Sequence, residues 1–213
     1  MPSDTAGSWT PVALSADLPS ATVMPAWTQA GSIALWRSQS GRVSASSDRC
    51  PHRGMRLSHG FVRGEALSCI YHGWSYSSAG TCIRIPAHPD LVPPETIRVA
   101  VHKVEESNGV IWVATGEPAE QPPGFDDLVP LRSLTAEADM AALEAAAGGK
   151  TGTDGLIRIA DCPWIRLLPT EQAGRTLIHV MIEQSRSPAD RVAASRLAEA
   201  VRRRAEACRT EVA

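Results

Sequence analysis

Two short Cys/His pairs, Cys50-Pro51-His52 and Cys69-Ile70-Tyr71-His72, constrain this chain more than any other feature in it. A thiolate and a neutral imidazole in each pair are donor types that suit iron and zinc. Whatever fold the chain adopts must therefore bring four distant side chains to one place. A structural Cys2His2 zinc site usually keeps roughly two to four residues between its cysteines and three to five between its histidines. Here the pairs are mixed, one Cys and one His in each, with Pro51 alone inside the first and Ile70 and Tyr71 inside the second. Mixed pairs let both cysteines go to one iron and both histidines to the other, as a mixed-ligand [2Fe–2S] centre requires. The spacing favours such a cluster, with zinc as the alternative.

The chain around the pairs, from Trp9 to about Thr115, reads as short strands broken by Gly and Pro, which predicts a small antiparallel β domain. Residues 32–37 alternate apolar and polar before the Ser40-Gly41 turn, residues 97–101 do much the same, and residues 110–113 are a β-branched run. Residues 44–73 read as loop. Pro118, Pro122 and Pro123 mark an exit, residues 135–147 are Ala-rich and predict a short helix, and residues 148–152 read as a flexible Gly-rich joint. Strands are expected at 156–160, 164–168 and 175–182, with a hairpin turn at 172–174. The tail predicts the clearest helix: Ser187 is an N-cap, Pro188 fits the first position, and Asp190 lies in the first turn. Its apolar stripe is read as Ala193, Leu197, Val201, Ala205 and Cys208, and its arginines as a solvated face. The division expected is residues 1–116, a connector at 117–155, and a small α+β extension at 156–213.

With their flanks, Asp48-Arg49-Cys50-Pro51-His52-Arg53-Gly54 and Cys69-Ile70-Tyr71-His72-Gly73-Trp74 resemble the two cluster-binding loops of Rieske proteins, specifically Rieske non-haem iron oxygenases. The resemblance runs over roughly residues 9–115. It implies a Rieske-type antiparallel β-sandwich with the histidines at the exposed edge of the cluster. Carried over, Cys50 and Cys69 bind the inner iron, His52 and His72 the outer one, and Tyr71 and Trp74 cover the cluster. Two neutral imidazoles in place of anionic thiolates raise the potential above that of plant-type ferredoxins. Respiratory Rieske proteins carry a further cysteine in each loop and join the two in a disulfide. Met55 and Tyr71 stand at those positions here, so no such bridge forms. The hydroxyl residue that follows His-Gly in those proteins is Trp74. Fewer donors to the cluster place the expected midpoint near the low end of the Rieske range, about −150 mV.

A complete Rieske oxygenase also holds a mononuclear iron on two histidines and a carboxylate. After His102 the only histidine is His179, so no mononuclear iron is expected in this chain. The segment after Gly155 resembles only the end of such a catalytic domain. Three functions follow: an electron-transfer component that passes single electrons from a reductase or ferredoxin to an oxygenase subunit, a truncated oxygenase acting as a hydroxylase or demethylase itself, and a redox-sensing or assembly module. Whether the chain alone is an enzyme stays open.

Cys82, Cys162 and Cys208 read as buried small hydrophobes rather than ligands, and His59, His88 and His102 as residues without a site. Five cysteines in 213 residues do not make a disulfide scaffold. No secretory leader is visible at the start, and no apolar run of about 18 residues occurs. A cytoplasmic, reducing compartment is therefore the expectation. A formal net charge of −2 gives no global attraction to nucleic acid or an anionic membrane. An oligomer is expected.

Overall fold

The computed structural model of the chain describes residues 8–172 and 174–210, with side chains to residue 208. Residues 1–7, where the leader was sought, and Ala173, in the expected hairpin turn, lie outside them. The chain divides into two compact units, one of residues 1–106 and 111–121, the other of residues 107–110 and 122–213.

The first unit is built on a six-stranded sheet of β1 (Ser8–Leu14), β2 (Thr22–Thr28), β3 (Gly31–Arg37), β4 (Val43–Ser47), β9 (Val101–Ser107) and β10 (Val110–Thr115), in the order β1-β10-β9-β4-β3-β2. A smaller sheet runs β5 (Phe61–Arg63), β6 (Ala66–Ser68), β7 (Ser75–Tyr76) and β8 (Cys82–Arg84) in sequence order. Strand β3 is buried on both faces rather than alternating apolar and polar. Ile33 and Leu35 pack with Val12, Ile111 and Val113, whereas Ala34 and Trp36 pack with Cys50, Leu57, Leu67 and Tyr76. The period of two along a strand puts the first pair on one face and the second on the other. Across the small sheet, Val62, Leu67, Tyr76 and Cys82 stand directly opposite one another in register and belong to that same second core. One core therefore lies under the strands and loops that carry both Cys/His pairs.

The structure alters two expectations here. Residues 44–73 contain β4, β5 and β6, too short to show a period in sequence. Of residues 97–101 only Val101 lies in a strand, as the first residue of β9: Arg98 makes a single bridge to Thr81, and the backbone of Ile97 and Val99 bonds to Cys82, at the start of β8, and to Gly80. Isolated pairing of this kind, rather than a continuous ladder, overrides the local pattern.

In the second unit, β11 (Leu128–Ala136), β12 (Ile157–Ile159), β13 (Cys162–Gln172) and β14 (Arg175–Glu183) form an antiparallel sheet in the order β11-β14-β13-β12. Leu134, Ile157, Ile165, Leu167, Ile178, Val180 and Ile182 share a core with α1 (Met140–Ala147) and α2 (Pro188–Thr210). The helix expected at 135–147 starts later, because residues 128–136 pair with β14 and Asp139 caps α1 by accepting from the Ala142 N–H at 2.9 Å. Strand β11 and helix α1 thus occupy what reads in sequence as connector. The Gly-rich joint is tied down: Gly148 ends α1 in the left-handed conformation, and Thr151 bonds Glu144 through both its N–H and its hydroxyl.

Helix α2 begins as expected. Ser187 Oγ accepts the Asp190 N–H, and the Asp190 carboxylate accepts the N–H and hydroxyl of Ser187. Of the expected stripe, Val201 and Ala205 are buried and Leu197 packs against the core, but Ala194 and Ala198 complete the face in place of Ala193 and Cys208, both of which are exposed. Steps of four, three and four follow the 3.6-residue turn, whereas repeated steps of four drift off the face. Cys82 is buried as expected, Cys162 is half-buried, and all five cysteines are free. Among the described residues no helix is long and apolar enough to cross a membrane.

Candidate metal centre

The first Cys/His pair lies on the long connection from β4 to β5, the second on the hairpin between β6 and β7. The base of the first loop is clamped by Asp48, buried, whose carboxylate accepts the Ser58 N–H at 2.7 Å and the Ser58 hydroxyl at 2.8 Å. The second loop continues the ladder of its hairpin, with Ser68 paired to Ser75.

The two loops close in the same way despite their different spacing. Cys50 N–H donates to the Met55 carbonyl at 2.9 Å and Gly54 N–H to the Cys50 carbonyl at 2.8 Å. Cys69 N–H donates to the Trp74 carbonyl at 2.9 Å and Gly73 N–H to the Cys69 carbonyl at 3.0 Å. Gly54 and Gly73 have φ of +71° and +69°, the left-handed conformation that costs a side chain most. Each cysteine therefore opens one five-residue frame, with its histidine at the second following position in one loop and at the third in the other.

These frames bring all six residues singled out in the sequence to one end of the first unit. Cys50 and Cys69 are 3% and 2% exposed in one core cluster. The His52 and His72 rings lie 4.7 Å apart, His52 half-buried and His72 exposed. Trp74 stacks on His52 at 4.4 Å with the planes 2° apart, and Tyr71 leans over His72 at 3.9 Å. Burial pushes the Cys69 thiol up, with Cys50 adding to it. Desolvation, and then His72 and Arg53, hold His52 below its ordinary value, which favours its neutral form. Among the described residues no three His, Cys, Asp or Glu converge on a single ion. The donors come as two buried thiols and two outward imidazoles, a set that fits a two-iron cluster.

Sequence reasoning missed Tyr76. It is almost fully buried, and its hydroxyl lies 3.1 Å from Cys50 Sγ. Burial first, and then the Cys50 bond, push its ionisation well above the ordinary value, so it stays a donor. The available signal was a tyrosine two residues past Trp74 in a short strand, since a buried tyrosine hydroxyl has to find a partner. Cys82 sits directly opposite Tyr76 in the same core. His59, at the end of a short 3-10 helix (Leu57–His59), and His88 are exposed, and His102 is half-buried on β9, opposite Ala45. His179 is fully buried on β14 beside Ser133, whose Oγ lies 3.0 Å from its Nδ1.

The family model described as the Rieske [2Fe–2S] domain matches residues 8–103. Residues 8–103 therefore carry the Rieske [2Fe–2S] domain to which the two loops point. It is 44% identical over 115 residues to the oxidoreductase NdmD of Pseudomonas putida, covering 54% of this chain and 20% of that protein. To the 4beta-methylsterol monooxygenase of Methylococcus capsulatus it is 43% identical over 91 residues, covering 41% of this chain and 24% of that one. The chain thus spans about a fifth to a quarter of the length of these relatives. In fold it is similar to NdmB of Pseudomonas putida CBB5, with a TM-score of 0.69 and 18% identity over 93% of this chain and 81% of that one. Apo dicamba monooxygenase is as similar, with a TM-score of 0.69 and 19% identity over 94% and 84%.

Proposed function

We propose that this chain is a one-electron carrier of an oxygenase system, taking electrons from a reductase or ferredoxin and passing them to a mononuclear iron on a partner polypeptide. The observation that carries this reading is the pair of matching loop frames, with thiols turned inward and imidazoles outward. Cys50 and Cys69 are assigned to the inner iron, His52 and His72 to the outer one. Bound there, a [2Fe–2S] cluster supplies a one-electron couple whose potential is lifted by the two neutral ligands. The rest is done by the chain: Trp74 and Tyr71 cover the imidazoles, Tyr76 donates to the Cys50 sulfur, and His72 meets the surface where a partner approaches.

The likeness in fold reaches over both units, which supports reading the second as the framework of a catalytic domain's end. Its single histidine, His179, is enclosed beside Ser133, so the electron's destination is assigned to another chain.

The test is iron, acid-labile sulfide and zinc content of the purified full chain, with the electron paramagnetic resonance spectrum after reduction. Two irons and two sulfides per chain with a Rieske-type signal are expected. Stoichiometric zinc would sink the cluster assignment. A third iron with substrate-dependent oxygen uptake would make the chain an oxygenase in its own right.

A further inference from the structure

Four exposed arginines, Arg49 and Arg53 on the first cluster loop and Arg63 and Arg84 on the small sheet, form no ion pair among the described residues. Arg49 lies over the first loop, its Nη1 3.7 Å from where a Cβ on Gly54 would stand. Arg53 directly follows His52. Arg63 and Arg84 border a groove of about 440 Å³ on the outer face of the small sheet, with Phe61, Gly73, Ile83 and Pro86. Arg63 lies over the Phe61 ring at 4.9 Å, and all four arginines are exposed.

Two ion pairs of this unit, Arg37 with Glu106 and Lys103 with Glu117, involve none of the four, and at the base of the first loop it is Arg56 that lies 4.0 Å from the buried Asp48. Between residues 49 and 88 the only carboxylate is Glu65, and the N–H and hydroxyl of Ser40 occupy it. On α2, in contrast, Arg202 and Arg203 are bonded to Glu199 and Glu206. On the second loop, Ile70 and Tyr71 are 58% and 57% exposed, and Pro51 and Pro86 are exposed as well. Exposed aromatic and apolar side chains together with arginine have the composition of a protein interface. Unneutralised positive charge of this kind steers and orients an acidic partner.

We infer that the cluster-loop end of the domain docks an acidic one-electron carrier protein, one of its carboxylates entering the groove between Arg63 and Arg84 while Ile70 and Tyr71 meet its apolar centre. Gly73, which lines that groove, directly follows His72, so the dock places the incoming electron beside the outer imidazole. The inference rests on the electron-carrier reading and adds the chemistry of the partner and its place of contact.

The test uses the full chain with its cluster and, as probe, a reduced acidic plant-type [2Fe–2S] ferredoxin, whose potential lies below that of Rieske centres. Stopped-flow reduction should slow about tenfold between about 50 and 500 mM salt, and about tenfold at low salt in the double variant Arg63→Glu, Arg84→Glu. The same charge change at Arg196 and Arg204, exposed on α2, should alter the rate less than about twofold. Equal losses in the two double variants, or a salt-independent rate, would overturn the dock while leaving the carrier intact. So would slower reduction of Arg63→Glu, Arg84→Glu by photoreduced deazaflavin, because the pair would then be structural. Retention of duplex DNA by the parent at about 150 mM salt, lost in that variant, would assign the arginines to nucleic acid instead. A chain that holds no cluster would bring down the carrier reading itself.

Discussion

Replacing Tyr76 by Phe removes one hydroxyl from the buried core and leaves the ring that fills it. That hydroxyl lies 3.1 Å from Cys50 Sγ on a side chain that is 1% exposed. A hydrogen bond to a charged group is worth about 1.5–3 kcal/mol and one between neutral groups about 0.5–1.5 kcal/mol. The reduced centre carries one more negative charge than the oxidised one, so the bond is stronger after the electron arrives, by about 1 kcal/mol on this scale. A tenfold change in a one-electron equilibrium is about 1.4 kcal/mol or 59 mV. Tyr76→Phe should therefore lower the midpoint potential by about 40 mV, within about 20–60 mV. Protein-film voltammetry measures this directly, and Tyr71→Phe, altered at a side chain 57% exposed, provides the control with a shift below about 10 mV. An unchanged or raised potential in Tyr76→Phe, with the Rieske signal intact, would refute the reasoning.

Gly73→Ala should impair cluster assembly more than Gly54→Ala. Both force a side chain into the left-handed region at about 1–2 kcal/mol, but the new Cβ meets Pro86 Cγ at 2.9 Å at Gly73 and nothing nearer than 3.7 Å at Gly54. Cluster absorbance per chain in the two variants reads the difference. Ser58→Ala should cost about 1–3 kcal/mol, because it takes the hydroxyl donor from a buried carboxylate, and denaturant unfolding followed by loss of cluster absorbance measures it. Glu144 is held at about 2 by Lys150 and then by Thr151, below its ordinary value of 4.5. A depressed carboxylate stabilises the fold fully above its unfolded value and loses that contribution as pH falls through the folded one. The gap in thermal midpoint between the parent and Glu144→Gln should therefore shrink by roughly half between pH 6 and 3, and a gap that stays constant would refute the assignment.

The site was legible because its chemistry is written locally. The four residues assigned as ligands sit in two short loops whose glycines and flanking residues are contiguous, so nothing distant was needed to read them. Tyr76 was not legible in the same way. Its partner is set by the register Leu67↔Tyr76↔Cys82 across a sheet of two- and three-residue strands, which have no period to detect. The same limit applies in the second unit, where helix propensity reads residues 135–147 as one helix. Eight register pairs with β14 decide otherwise as far as Ala136. The unpaired arginines were hidden for another reason. Arg53 and Arg84 are far apart in sequence, and only the fold shows that no acid among the described residues pairs with either.

The shared closure of the two loops also bears on how such pockets diverge over evolutionary time. Carbonyls and amides hold each frame, and a glycine at the fifth place turns it, so the histidine's offset is free to differ by one residue between the halves. A descendant could exchange either imidazole, or lose both, without disturbing the scaffold beneath. A search for paired Cys-x3-Gly frames, blind to what stands between, would then recover pockets whose metal ligands have been rewritten and which a search for histidine spacing passes over.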